Sequence, residues 1–99
     1  MKVVIVSRHK GTIDYLKKRY PNAEVVNHID DPKKFKDSLI IGNLPLHMVS
    51  EILRNGNRFV LLTLNVPQEL RGKELGEEEL KRYAKLYEIK ELKLEEFKL

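Results

Sequence analysis

Hydrophobic residues in this chain fall into short dense runs separated by amphipathic stretches, the rhythm of strands buried on both faces that alternate with helices. Lys2–Val6, a continuous β-branched run, predicts a first strand. Thr12 is placed to cap a helix with Asp14 in its first turn; Ile13, Leu16 and Tyr20 share one face, and Pro21-Asn22 ends it. Glu24–Asn27 predicts a short second strand, and after Asp31-Pro32 a charged turn or helical stub leads to a third, Ser38–Ile41. Pro45 suits a first helical turn, Leu46, Val49, Ile52 and Leu53 make the apolar face behind it, and Gly56 stands where a left-handed cap is expected. Arg58–Leu64 is a fourth strand, nearly all apolar. Glu77–Leu86 reads as a helix with Leu80, Tyr83 and Ala84 inward, and Tyr87–Phe97 as a final strand with the polar alternation of an edge.

Strands joined by helices of this length are parallel neighbours linked by right-handed crossovers. The expected fold is α/β, a compact Rossmann-like three-layer sandwich on a mostly parallel sheet of about five strands. Its first strand lies inside the sheet with Val4 and Val6 buried. Ninety-nine residues without a repeat, linker or low-complexity tract make one domain over residues 1–99.

In such a sheet the carboxyl ends of the strands share one edge, and ligands bind in the crevice outside it. Four polar clusters fall at those ends: Ser7-Arg8-His9-Lys10-Gly11, Asn27-His28-Ile29-Asp30, Gly42-Asn43-Leu44-Pro45, and Asn65 through Gly72. Segments far apart in sequence therefore converge on one candidate site.

Composition narrows the class of protein. The absence of cysteine excludes disulfides and thiolate-bound metals and fits a reducing, cytoplasmic compartment. No apolar run approaches the roughly 20 residues of a membrane span, so no membrane partner is expected. Lys and Glu dominate the charged residues, which make up 34% of the chain, a balance that points to a thermophile. The net charge of +4 is uneven, because residues 1–36 carry nine Lys or Arg against four Asp or Glu. A positive amino-terminal half attracts anions. Lys17, Lys18, Arg19 and Lys33, Lys34, Lys36 nonetheless read as solvated faces, and without an interleaved aromatic stripe no long nucleic acid is expected.

The clusters exclude several chemistries. Ser7 to Gly11 offers one glycine where the dinucleotide fingerprint needs three. His28-x-Asp30 lacks the helical spacing of a metal site, and no strained elbow holds Ser7 as an acyl nucleophile. Gly42-Asn43-Leu44-Pro45 is like the Asn-Leu-Pro-Tyr motif of adenine methyltransferases, but the aromatic and a glycine-rich cofactor loop are missing. No cofactor or metal is expected. What the residues do offer is a phosphate cradle, with the Ser7 hydroxyl, the Arg8 guanidinium, the His9 imidazole and the first amides of the following helix; Arg71 beside Gly72 supplies a second cation. The competing structural role is that Arg8 and His9 tie loops together through Asp30 or Glu69.

Taken in order, Ser7-Arg8-His9-x-Gly11, His28-x-Asp30, Ile41-Gly42-Asn43-Leu44-Pro45 and Leu64-Asn65-Val66-Pro67-x-Glu69-Leu70-Arg71-Gly72-Lys73-Glu74-Leu75 resemble a family of small type III CRISPR accessory proteins. The likeness covers residues 3–75 and is most specific over Pro67–Leu75. Members of that family usually carry threonine at the positions of Ser7 and Asn43, aspartate at Asn65 and arginine at Lys73. Ser7 keeps the hydroxyl, whereas Asn65 loses any acid or base role. The resemblance implies a ring nuclease, a metal-independent phosphodiesterase that binds and linearises cyclic oligoadenylate, most often the tetra-adenylate, and so ends an antiviral signal. It implies Arg8 and Arg71 as phosphate-stabilising groups and His9 as acid or base. Ligand contacts would come from Ser7, Lys10 and Gly11 of the first cluster, His28 and Asp30 of the second, Gly42, Asn43, Leu44 and Pro45 of the third, and Glu69 of the fourth. A homodimer would present this edge twice to one ring. The alternative within the resemblance is a module that senses or sequesters cyclic oligoadenylate uncut, or regulates the interference complex by contact.

Overall fold

A computed structural model describes all 99 residues. Five strands, β1 (Lys2–Val6), β2 (Glu24–Val26), β3 (Ser38–Gly42), β4 (Arg58–Leu64) and β5 (Ala84–Ile89), form one sheet in the order β2-β1-β3-β4-β5. The first four are mutually parallel, and β5 runs antiparallel to β4. Helices α1 (Lys10–Arg19), α2 (Leu46–Arg54) and α3 (Glu77–Tyr83) connect them. β1 is interior, as its β-branched run requires, with Val4, Ile5 and Val6 all buried.

The sheet divides two apolar layers. On one face Val4, Val6, Ile40 and Phe59 pack with Val49 and Ile52 of α2. On the other Ile5, Leu39, Ile41 and Leu62 pack with Leu16 of α1, beside which α3 lies. No helix is long and apolar enough to cross a membrane.

Local chemistry moved several boundaries. α1 starts at Lys10, not after a Thr12 cap, because the Ser7 hydroxyl accepts the His9 N–H at 3.1 Å and turns the chain sooner. Pro45 ends up as the residue before α2, and Leu46 faces solvent, leaving Val49, Ile52 and Leu53 as the inward face. Gly56 adopts the left-handed conformation expected of it, at φ +84°. It leads into Asn57, a buried amide that accepts the Ser38 N–H at 3.0 Å and donates to the carbonyls of Phe35 and Ile52.

The largest correction lies at the carboxyl end. The helix expected to reach Leu86 stops at Tyr83, and the strand expected over Tyr87–Phe97 occupies Ala84–Ile89. β4 explains both shifts. It offers a free edge whose ladder runs from Leu64 opposite Ala84 to Phe59 opposite Ile89, and those interstrand bonds outweigh three further residues of helix. Beyond Ile89 the partner strand has ended, so the alternating Leu92-x-Leu94 pattern has nothing to pair with and residues 90–99 carry no regular structure.

Candidate functional site

The strand order reverses between β1 and β3: the chain leaves β1 toward β2 and returns on β1's other side. Loops then diverge in opposite directions from adjacent strand ends and open a crevice at the carboxyl edge. A cleft of about 470 Å³ lies there, within the range that holds small ligands. The end of β1 contributes Ser7, Arg8 and His9, the first turn of α1 contributes Thr12, and the end of β2 contributes Asn27. Gly42 and Asn43 come from the end of β3, with Val6, Leu62 and Leu64 as apolar surroundings.

Glycine at 42 is a steric requirement. A Cβ there would lie 2.5 Å from the Val6 carbonyl oxygen, so any side chain would push β3 away from β1 at the mouth of the cleft. Asn43 turns its amide Nδ2 toward the Leu62 carbonyl at 3.5 Å, the outer limit of a hydrogen bond, which links the ends of β3 and β4.

Electrostatically the cleft is one-sided. Among its lining residues Arg8 and His9 are the ionisable ones, and no carboxylate is present. Arg8 is exposed and takes part in no ion pair, unlike Lys2, Lys10, Lys18, Arg58, Lys81 and Lys90. The opening amides of α1, which have no carbonyl partner within the helix, lie next to it. An uncommitted guanidinium, a hydroxyl, an imidazole and a helix amino end together offer the donor types that an anion needs.

His9 pairs with neither Asp30 nor Glu69. Its Nδ1 stands 3.0 Å from Glu74 Oε1, on the loop between β4 and α3. That loop is seated on α1: a Cβ at Gly11 would come within 2.0 Å of the Leu75 carbonyl oxygen. A hollow of about 90 Å³, lined by His9, Thr12, Leu64, Lys73, Glu74 and Leu75, lies alongside the main cleft.

The other expected site residues occupy different positions. Lys10 is tied to Asp14 at 2.8 Å along α1, and Gly11 lies beneath Leu75. His28 and Asp30 pair with each other at 3.1 Å after β2 and do not line the cleft. No group of three potential metal-ligating side chains exists anywhere in the molecule. Leu44 packs on the α2-side core, and Pro45 precedes α2. Glu69 and Arg71 stay on the β4–α3 loop, exposed and outside the cleft lining. Thr12, Asn27 and Glu74 are the additions. Glu74 sat inside the most distinctive sequence stretch, Pro67–Leu75, but nothing in that stretch revealed that it would meet a histidine 65 positions away.

A family model described as "Putative CRISPR-associated protein (Cas_VVA1548)" matches residues 4–95. No curated protein and no solved structure matches the chain.

Proposed function

Since the chain belongs to the CRISPR-associated Cas_VVA1548 family, we propose that its carboxyl-edge cleft binds cyclic oligoadenylate, the tetra-adenylate in particular, and that the protein is a ring nuclease. The observation that carries this reading is the cleft itself, where Arg8, His9, Ser7 and the α1 amino end converge with no carboxylate among them. Phosphodiesters in a tight ring present several negative charges within a small volume, which suits a concave basic edge better than an extended groove.

Cleavage needs no outside nucleophile. The ribose 2′-oxygen attacks the adjacent phosphorus in line, the bond to the 5′-oxygen breaks, and the products are a 2′,3′-cyclic phosphate and a 5′-hydroxyl. His9 takes the 2′-hydroxyl proton, and the departing 5′-oxygen is protonated by the imidazolium or by water. Arg8 offsets charge on the phosphorane. Ser7 and Asn43 orient ribose and phosphate. Positioning and electrostatics are the whole of the protein's task in such a step.

The deciding experiment incubates pure protein with labelled cyclic tetra-adenylate, with and without EDTA, and resolves the products. Linear fragments ending in a cyclic phosphate, formed equally with EDTA, are expected. Ligand that is bound but intact would replace the enzyme with a sensor or sequestering module. Loss of activity in EDTA, restored by one divalent ion, would move the chemistry to a metal.

A further inference from the structure

Glu74 approaches a single nitrogen of the His9 ring, with Oε1 at 3.0 Å and Oε2 at 3.3 Å from Nδ1. An ionised carboxylate only accepts hydrogen bonds, so this contact requires the proton on Nδ1, and in the neutral ring Nε2 is then the free acceptor. Two hollows meet at His9. His9 lines both, whereas Glu74 lines the smaller one alone. Glu74 therefore meets the ring from the smaller hollow and stands outside the lining of the ligand space. The loop that carries it is seated on the first turn of α1 by the close fit of Leu75 over Gly11, and just beyond it Glu77, the first residue of α3, pairs with Lys18 in the last turn of α1.

We propose that Glu74 is a positioning residue: it locks His9 in the Nδ1–H tautomer and directs an unprotonated Nε2 into the cleft, where it accepts the proton of the attacking ribose hydroxyl. This rests on the ring-nuclease reading for its use, but not for its geometry. Both side chains are well exposed, 69% for His9 and 63% for Glu74, so the pair adds little to stability. Its consequence is the choice of nitrogen, the service a carboxylate behind a catalytic histidine performs elsewhere.

Long-range ¹H–¹⁵N NMR of the His9 ring in mildly alkaline buffer tests the geometry directly. The wild type should show the Nδ1–H form, Glu74→Ala should lose it, and Glu74→Gln, whose carbonyl still accepts, should keep it, all with the same Tm. An Nδ1–H ring that persists in Glu74→Ala overturns the proposal whatever the protein cleaves. In the kinetic arm Glu74→Ala should lower kcat on cyclic tetra-adenylate about 10-fold at unchanged KM, the scale of lost partners behind a site ligand, with Glu74→Gln recovering most of it. A shifted tautomer with unchanged kcat overturns the positioning role. Wild-type protein that cuts nothing sinks the ring-nuclease reading, while the NMR arm still decides whether Glu74 sets the His9 tautomer.

Discussion

At the residue scale the distinction is between charges that are spent on the fold and charges that are free. Arg58 is spent. It holds both oxygens of Glu88 across β4 and β5 at 2.8 and 2.7 Å, and those bonds, with Lys90 adding to them, push the Glu88 carboxyl from 4.5 down to about 2. A depressed carboxylate stabilises the fold above its unfolded pKa and loses that contribution as pH falls through the folded one. Melting curves recorded from about pH 5 to about pH 2 should therefore show a smaller acid-induced fall in Tm for Glu88→Gln than for wild type; equal falls would mean that the pair has no net effect. Arg8, by contrast, is bound to nothing in the protein. Arg8→Ala and His9→Ala should each lower cleavage of cyclic tetra-adenylate by about 10²-fold, the scale of a lost oxyanion donor or general base, at unchanged Tm. Normal turnover by both variants would remove the cleft from the chemistry.

At the element scale, the β4–α3 loop decides how the site is assembled. It leaves the carboxyl end of β4, two strands from β1, seats Leu75 on Gly11 and delivers Glu74 to His9. Gly11→Ala tests that seating, because the added methyl carbon would stand 2.0 Å from the Leu75 carbonyl oxygen. Backbone has little room to yield, so the loop must lift, at about 1–3 kcal/mol, the usual cost of overpacking. Denaturant titration should record that loss together with a change in the His9 NMR signals. Unchanged signals would show that the loop tolerates the methyl group in place. The same region shows why α3 is short: Ala84–Ile89 completes six pairs with β4, and the Asn65 N–H bonds the Tyr83 carbonyl at the junction.

At the scale of the whole molecule, four parallel strands bring Ser7, Asn27 and Asn43 to one edge, and the reversal between β1 and β3 opens the crevice between them. A cleft of about 470 Å³ is of small-ligand size, so on the ring-nuclease reading a single chain would enclose only part of a four-nucleotide ring. Two copies about a dyad would place Arg8 of each against opposite phosphates, the self-complementary arrangement of two-fold dimers. Light scattering should give the mass of a dimer, and titration should saturate at one cyclic tetra-adenylate per two chains. A monomer that takes one ring per chain at saturation would refute that assembly.

The sequence by itself determined β1 through β4, their alternation with α1 and α2, and hence the parallel edge, because continuous β-branched runs and amphipathic helices with Pro and Gly at their ends leave few other ways to bury the apolar residues. It also picked out Ser7, Arg8, His9, Gly42 and Asn43, since residues at the ends of buried strands are fixed in place once the strands are. Tertiary structure alone decided the rest. Ala84–Ile89 became strand through pairing with an edge 20 or more residues earlier, a contact that local propensity does not register. His28, Asp30 and Arg71 belong to loops, whose direction depends on what they pack against, and the first two turned to each other. Glu74 reached His9 across 65 positions because Gly11 left room for the Leu75 backbone, a steric fit written in no single stretch of the chain.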